Sequence, residues 1–303
     1  MFKFARLSVL AAVISLPASA AEPVPLAPLS KWNLHYAKNS CQLMREFGDP
    51  AKPLGISFER SSLDSGLSLL VFGGPLRAKV SSRTATVAFA PFLAEKDQFG
   101  TVAETDGTKE TALFWARLSL SSDWEKKRRS IPKASERPVR DLQLDAESLA
   151  LETAKATQVT KLEITEPSGR KIVLATGRLD KVFAMLRACA RQKMAEAGID
   201  LSVQDKIVRP ALLITPVASL IKSSDYPKEA FPKGQQSVVK VRLKVGADGI
   251  VIDCLTLTPF TAPGFAEVSC DKMRKARFLP AEFGDGTKVP DMVETNIRFV
   301  MGT

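Results

Sequence analysis

From Val239 to Val245 apolar and charged residues alternate without a break, Val239, Val241, Leu243 and Val245 against Lys240, Arg242 and Lys244. Successive side chains of a strand point to opposite faces, so this run predicts a strand with one buried face and one charged face. The turn Gly246-Ala-Asp-Gly249 follows, and Val251 with the alternating Asp253, Leu255 and Leu257 continues the β pattern. Phe265, Val268 and Met273 fall on the inner side of a helix predicted to start near Pro263. Phe278-Leu279-Pro280-Ala281 is read as its end, because the residue before a proline is pushed out of helical geometry. Gly284-Asp285-Gly286 then turns the chain into a last strand, Val293 to Val300, placed at the edge of a small antiparallel sheet. With Tyr226-Pro227 at its entry, residues 226–303 read as one small αβ module.

The N-terminus has Lys3 and Arg6, an apolar run from Leu7 to Leu16 and Ala18-Ser19-Ala20 before Ala21. That order of charge, apolar core and small residues is a secretory signal peptide, predicted to be cleaved after Ala20. The apolar run is about half of the roughly 20 residues a spanning helix needs. Removing Lys3 and Arg6 from the 43 basic residues leaves 41 against 33 acidic ones, a net charge of +8. A moderately basic surface favours solubility and weak attraction to anionic partners such as peptidoglycan. Nucleic acid is excluded as a partner by the compartment, and the run Lys126-Lys127-Arg128-Arg129 has no interleaved aromatics.

The four cysteines are Cys41, Cys189, Cys254 and Cys270. In an oxidising compartment an even count reads as disulfides, and four cysteines allow three connectivities. Cys254 and Cys270 both lie inside the C-terminal module, which pairs them with each other and leaves Cys41 for Cys189. Zinc fails on spacing, since no C-x-x-C exists and His35 is the sole histidine.

The predicted organisation is a signal peptide over 1–20, an extended leader over 21–31, a β-rich domain over 32–200, a connecting segment over 201–225 and the αβ module over 226–303. The leader carries three prolines between Glu22 and Pro28, and structure is expected to begin near Trp32. Strand candidates are Ile56 to Arg60, Leu67 to Phe72, Ala78 to Ser82, Ala85 to Ala90 and Leu113 to Leu120, each bounded by turn residues. Ser121 to Asp145 is polar and reads as a long loop or short helix. Lys161 to Thr165 and Lys171 to Ala175 form a hairpin around Ser168-Gly169. Leu179, Val182, Phe183, Leu186, Cys189, Ala190 and Met194 recur at helical spacing before Gly198 and give the strongest helix of the chain. Residues 199–225, with Pro210 and Pro216, are expected to be extended. The fold class is α+β, an antiparallel β domain with one packed helix followed by the smaller module.

Catalytic patterns are poor. Leu63-Asp64-Ser65-Gly66 has the form of an aspartic-protease turn, but no second copy is present to share the proton, so it reads as an ordinary turn. His35 has no nucleophile elbow for company, and Gly73-Gly74 lacks the lysine and helix start of a phosphate loop. No cofactor or metal site is legible.

Tyr226-Pro227 with Ala230, the Val239 to Val245 alternation, Gly249, the segment Ala276 to Ala281, Gly286, Val289-Pro290 and the closing Ile297-Arg298-Phe299 together resemble the C-terminal domain of TonB. TonB carries inner-membrane energy to outer-membrane receptors. The resemblance covers about 210–303 and implies that the edge around Val293, Glu294, Thr295, Asn296, Ile297 and Arg298, with Tyr226 and Pro227, receives an extended segment of an envelope partner such as a TonB-dependent receptor. Strand addition needs only backbone groups. The chain departs from the family in lacking a transmembrane anchor and a long proline-rich arm. The expected function is therefore a periplasmic protein-binding module, not an enzyme. The alternatives are a membrane-anchored energy transducer and a hydrolase using Asp64.

Overall fold

The computed structural model describes residues 23–37, 40–61, 67–77, 84–93, 99–104, 111–120, 142–258 and 264–301. The signal-peptide stretch, Asp64, Pro263, the basic run at 126–129 and the strand expected over 78–82 lie outside these residues.

The N-terminal strands are β1 (Asn33–Tyr36), β2 (Cys41–Asp49), β3 (Lys52–Arg60), β4 (Leu67–Gly73), β5 (Ala85–Ala90), β6 (Phe99–Glu104), β7 (Thr111–Leu118), β8 (Lys161–Thr165) and β9 (Lys171–Leu174). They form one antiparallel sheet in the order β1-β2-β3-β4-β7-β6-β5-β8-β9. Leu43 and Phe47, then Leu54, Ile56 and Phe58, Leu69 and Val71, Val87 and Phe89, and Leu162 and Ile164 each lie on one face of their strand and join one core. Each such side chain taken from water contributes roughly 1.5–3 kcal/mol.

The leader is extended, as its prolines require, and it is also hydrogen-bonded. The Leu26 amide donates to the Val173 carbonyl at 2.7 Å and the Ala175 amide to the Leu26 carbonyl at 3.0 Å. On its other side the Leu29 amide donates to the Glu46 carbonyl at 2.8 Å and the Gly48 amide to the Ala27 carbonyl at 2.9 Å. The leader therefore bridges β9 and β2 and closes the strands from β2 to β9 into a ring. Pairing starts at Leu26, ahead of the expected Trp32, and the Leu26 side chain lies over Gly48 (φ +90°), its Cδ1 3.4 Å from where a Cβ would stand. Arg45 fixes the same segment, donating to the Ser30 carbonyl at 2.7 Å and stacking over Trp32 at 5.5 Å.

Two long helices follow, α1 (Leu142–Gln158) and α2 (Asp180–Glu196). The second is the predicted one, and Val182, Phe183, Leu186, Cys189, Ala190 and Met194 are its buried face. The first was not expected; its sequence carries Glu and Lys on most turns and shows little apolar stripe. Cys189 is bonded to Cys41, joining α2 to the start of β2.

The C-terminal elements are α3 (Leu201–Gln204), β10 (Leu212–Leu213), α4 (Val217–Leu220), β11 (Ser237–Val245), β12 (Val251–Thr256), α5 (Phe265–Met273), β13 (Phe278–Leu279), β14 (Ala281–Glu282), β15 (Lys288–Val289) and β16 (Asp291–Phe299). The sheet order is β12-β11-β16, with the pairs β10-β13 and β14-β15 beside it. Val239, Val241, Leu243 and Val245 pack under Phe265 and Met273 of α5, and Cys254 is bonded to Cys270.

Two expectations are corrected here. The connecting segment is not simply extended: Leu213, Leu220 and Ile221 pack on the C-terminal core, and Leu213 pairs with Phe278. Accordingly α5 stops at Met273, short of Pro280, and Phe278-Leu279 is a strand. Gly249 (φ +79°) permits this, since a Cβ there would lie 2.0 Å from the Phe278 carbonyl oxygen, while the Phe278 amide donates to the Gly249 carbonyl at 3.0 Å.

Candidate functional site

β16 pairs with β11 over nine residues, Ser237 opposite Phe299 through Val245 opposite Asp291, without a break in register. No other strand pairs with it among the described residues. The direction of its free groups follows from β11. The Lys240 carbonyl accepts from the Leu257 amide at 2.8 Å, and the Lys240 amide donates to the Thr258 hydroxyl at 2.6 Å, so both groups of Lys240 face away from β16. Lys240 stands opposite Asn296. In an antiparallel ladder such a pair is non-hydrogen-bonded, and the partner's groups also point outward. The amides and carbonyls of Glu294, Asn296 and Arg298 therefore face the open edge, whereas those of Val293, Thr295 and Ile297 face β11. The Met292 amide, which shares the outward direction, donates to the adjacent Asp291 carboxylate at 2.7 Å.

The side chains alternate independently of this. Ile297 and Phe299 are buried under the helix side, Val293 and Thr295 are half-buried there, and Asn296 and Arg298 are exposed on the opposite face. That opposite face was expected to be a solvated row of charge. It is instead covered by the end of β3: Lys240 and Arg242 are buried, and only Lys244 is exposed. The Glu294 carboxylate accepts from the Ser61 hydroxyl at 2.8 Å, lies 3.1 Å from the Lys240 ammonium and accepts from the Arg242 Nε at 3.0 Å. Lys240 also donates to the Ser61 hydroxyl at 2.9 Å, and Arg242 to the Ser61 carbonyl. Burial pushes the Glu294 carboxyl up, but the Lys240 and Arg242 charges and the Ser61 and Arg242 hydrogen bonds outweigh it and hold the group below its usual value. Glu59, near Lys240, moves the other way, raised by burial against the Gln42 hydrogen bond and the Lys240 charge. Of the residues singled out for partner binding, Glu294 thus spends its side chain inside the molecule and offers only backbone.

Tyr226 and Pro227 sit at the far end of the same strand. The Tyr226 ring packs edge-on against Phe231, Phe265 and Phe299 at 5.9, 5.4 and 6.0 Å, and its hydroxyl donates to the Gln235 carbonyl at 2.5 Å. Pro227 fills the space over Gly264, 2.9 Å from where a Cβ would be. Both residues brace the end of β16 from within. Ser61 carries no signal in the sequence. Charge complementarity between Lys240, Arg242 and Glu294 was visible, but nothing local to Ser61 marks it as the group they enclose.

His35 is exposed on β1, opposite Gln42, and Gly73-Gly74 form a turn with φ +73° and +54°. No group of metal-ligating side chains occurs among the described residues.

The open strand, the helix over β11 and β12, and the Tyr-Pro brace belong together. Residues 222–301 match the Gram-negative bacterial TonB protein C-terminal family. The match takes in Tyr226, Pro227 and every strand of the three-stranded sheet, and residues 1–221 lie outside it. The TonB C-terminal family is a protein-interaction domain of the Gram-negative envelope rather than an enzyme family. Searches of curated proteins and of solved structures find no match. No helix among the described residues is long and apolar enough to cross a membrane.

Proposed function

We propose that this protein is a periplasmic envelope module whose TonB-like domain binds an extended peptide of a partner by strand addition on β16. The observation that carries the reading is the row of outward amides and carbonyls at Glu294, Asn296 and Arg298 on a nine-residue strand paired on one side only. A TonB-dependent outer-membrane receptor is the first candidate partner and a peptidoglycan-associated protein the second. The signal peptide is cleaved after Ala20 and the protein acts in the periplasm without catalysis.

The energy-transducer alternative is disfavoured by the leader. Leu26 is already bonded to β9, so a retained membrane anchor ending at Ala20 would hold the β-ring within about 20 Å of the bilayer, the reach of six extended residues. Such a tether supplies no arm.

Amide hydrogen exchange tests the reading. Addition of an extended receptor peptide is expected to slow exchange at Glu294, Asn296 and Arg298 while Val293, Thr295 and Ile297, already bonded to β11, change little. Protection confined to other strands would remove β16 as the site. Crosslinking from intact periplasm then identifies the partner.

A further inference from the structure

The flank of the C-terminal sheet away from β16 carries an apolar surface that the core does not use. Beside the start of β12, Leu212 stands opposite Leu279 and Leu213 opposite Phe278, the Ile214 amide donates to the Arg277 carbonyl at 3.0 Å, and Arg277 is bridged in turn to Ile250. Residues opposite one another in an antiparallel ladder share a face. Leu213 and Phe278 face the core, so Ile214, Arg277 and Ile250 form a row across three neighbouring segments on the outer face, with Leu279 two residues along from Arg277. The register shift between Lys244 and Val245 leaves Ile252 and Asp253 both exposed, the Ile252 Cδ1 3.3 Å from where a Gly246 Cβ would stand. Ile214 is 53 % exposed, Ile250 42 %, Ile252 61 % and Leu279 39 %. Arg277, in their midst, is exposed, and its side chain makes one bond, to the adjacent Ala276 carbonyl at 3.5 Å. Lys244, opposite Asp253, and Lys275, two residues before Arg277, are exposed and in no ion pair among the described residues, whereas Arg274 pairs with Asp271 at 3.1 Å. The Asp248 and Asp253 carboxylates accept from the Ile250 and Cys254 amides at 2.9 and 2.8 Å.

We propose that this face seats the C-terminal module on the surface of an anionic phospholipid bilayer, the three isoleucines and Leu279 entering the boundary between headgroups and acyl chains and Arg277, with Lys244 and Lys275, meeting lipid phosphates. Area and charge select this occupant. Four aliphatic side chains exposed to this extent amount to a few hundred Å², short of the roughly 800 Å² per partner that a stable protein interface buries. A bilayer sets no such threshold, because binding grows with each apolar side chain that enters and with each cation that meets anionic lipid. A second copy of the chain would contact itself through the same patch on both protomers and bring these unpaired cations together. The inference stands apart from strand addition, since β12 and β16 are opposite flanks of the sheet and the two surfaces are tested separately.

The test is co-sedimentation of the full chain with vesicles of phosphatidylethanolamine and phosphatidylglycerol, against vesicles of phosphatidylcholine alone. The mixed vesicles are expected to bind the protein and the neutral ones to bind it at least fivefold less at low salt, a difference that 1 M salt should erase. Ile252→Ser is expected to lower the partition coefficient about fivefold and Arg277→Gln by a similar factor at low salt, both with the wild-type circular dichroism because both side chains are exposed. Phe231→Ser is the control: Phe231 is 64 % exposed but stacks on Tyr226, away from this row, and its loss should change nothing. A second measurement places a reporter in the patch. Brominated lipid should quench the added emission of Ile252→Trp and not that of Phe231→Trp. Absence of wild-type binding to the mixed vesicles, wild-type affinity in Ile252→Ser, or equal losses in Ile252→Ser and Phe231→Ser overturns the proposal. Binding that needs Arg277 but not Ile252 would mark a polyanion such as peptidoglycan instead and also overturns it, as does a wild-type dimer in sedimentation equilibrium that Ile252→Ser renders monomeric.

Discussion

The two halves of this chain treat their strand edges in opposite ways. In the N-terminal half, β2 and β9 are bridged by the leader through Leu26, Ala27 and Leu29, so residues with no regular pattern of their own are used to close a ring. In the C-terminal half, β16 is left with Glu294, Asn296 and Arg298 facing outward over most of its length. Edges are a liability that folded proteins usually cover. Under the proposed function, the open edge of β16 is where a second molecule pairs. The other flank of the C-terminal sheet, β12, is shorter and is tied down by the Cys254–Cys270 bond to α5.

The largest contrast between the halves should come from their disulfides. The Cys41–Cys189 bond closes a span of 148 residues and the Cys254–Cys270 bond one of 16. On chain entropy these correspond to about 5 and about 3 kcal/mol. Replacing Cys41 and Cys189 by Ser should therefore lower the urea midpoint of the N-terminal transition more than the Cys254/Cys270 double replacement lowers that of the C-terminal one. Equal losses would mean the bridge merely decorates a ring already closed by the leader.

The next effect tests whether the halves are coupled. Glu294→Ala leaves Lys240 and Arg242 buried without their shared carboxylate, and breaking a buried ion pair this way costs about 3–5 kcal/mol. Adding Lys240→Met and Arg242→Met should restore most of it. A loss below about 1 kcal/mol, the range of an exposed pair, would show the contact with Ser61 to be incidental.

Acid titration sharpens the same point. Glu294 is held below its usual value in the folded state, so its contribution is present above the unfolded carboxylate pKa and is lost as pH falls through the depressed one. Glu59 is raised by burial, so its contribution is full below the unfolded pKa and disappears as pH rises through the raised one. Glu59→Gln should accordingly be less destabilising, relative to wild type, at pH 7 than at pH 4. Urea midpoints at the two pH values measure this, and a difference of the opposite sign would contradict the burial argument.

The smallest effect is at the brace. Tyr226→Phe keeps the three ring contacts and removes the bond to Gln235, which should cost about 1 kcal/mol in the C-terminal transition alone.

The strands that alternate strictly are legible from their own residues. Val239 to Val245, Ala85 to Ala90 and Lys161 to Thr165 lie where their patterns place them, and so does α2 with its six buried residues. What escaped the sequence depends on contacts distant along the chain. Phe278-Leu279 became a strand because Leu212-Leu213 lies alongside, and α1, with little apolar stripe of its own, is held to the rest of the domain by Glu152, which pairs with Arg60 and Arg187. The charged face of β11 read as solvent-exposed because Ser61, 179 residues away, leaves no mark near Lys240. At the open edge, strand and turn were readable, but the direction of each amide needed the Lys240 hydrogen bonds.

That direction gives the most direct test. Asn296 points its amide outward and makes no ladder bond to β11, so proline there removes a donor from the open edge while sparing the sheet. Asn296→Pro and Asn296→Ala should both keep the wild-type circular dichroism. Proline should abolish binding of extended receptor peptides, and alanine should leave it within about twofold, since the backbone and not the side chain makes the contact. A folded Asn296→Pro protein that binds as well as wild type would contradict the account and move the interface off β16.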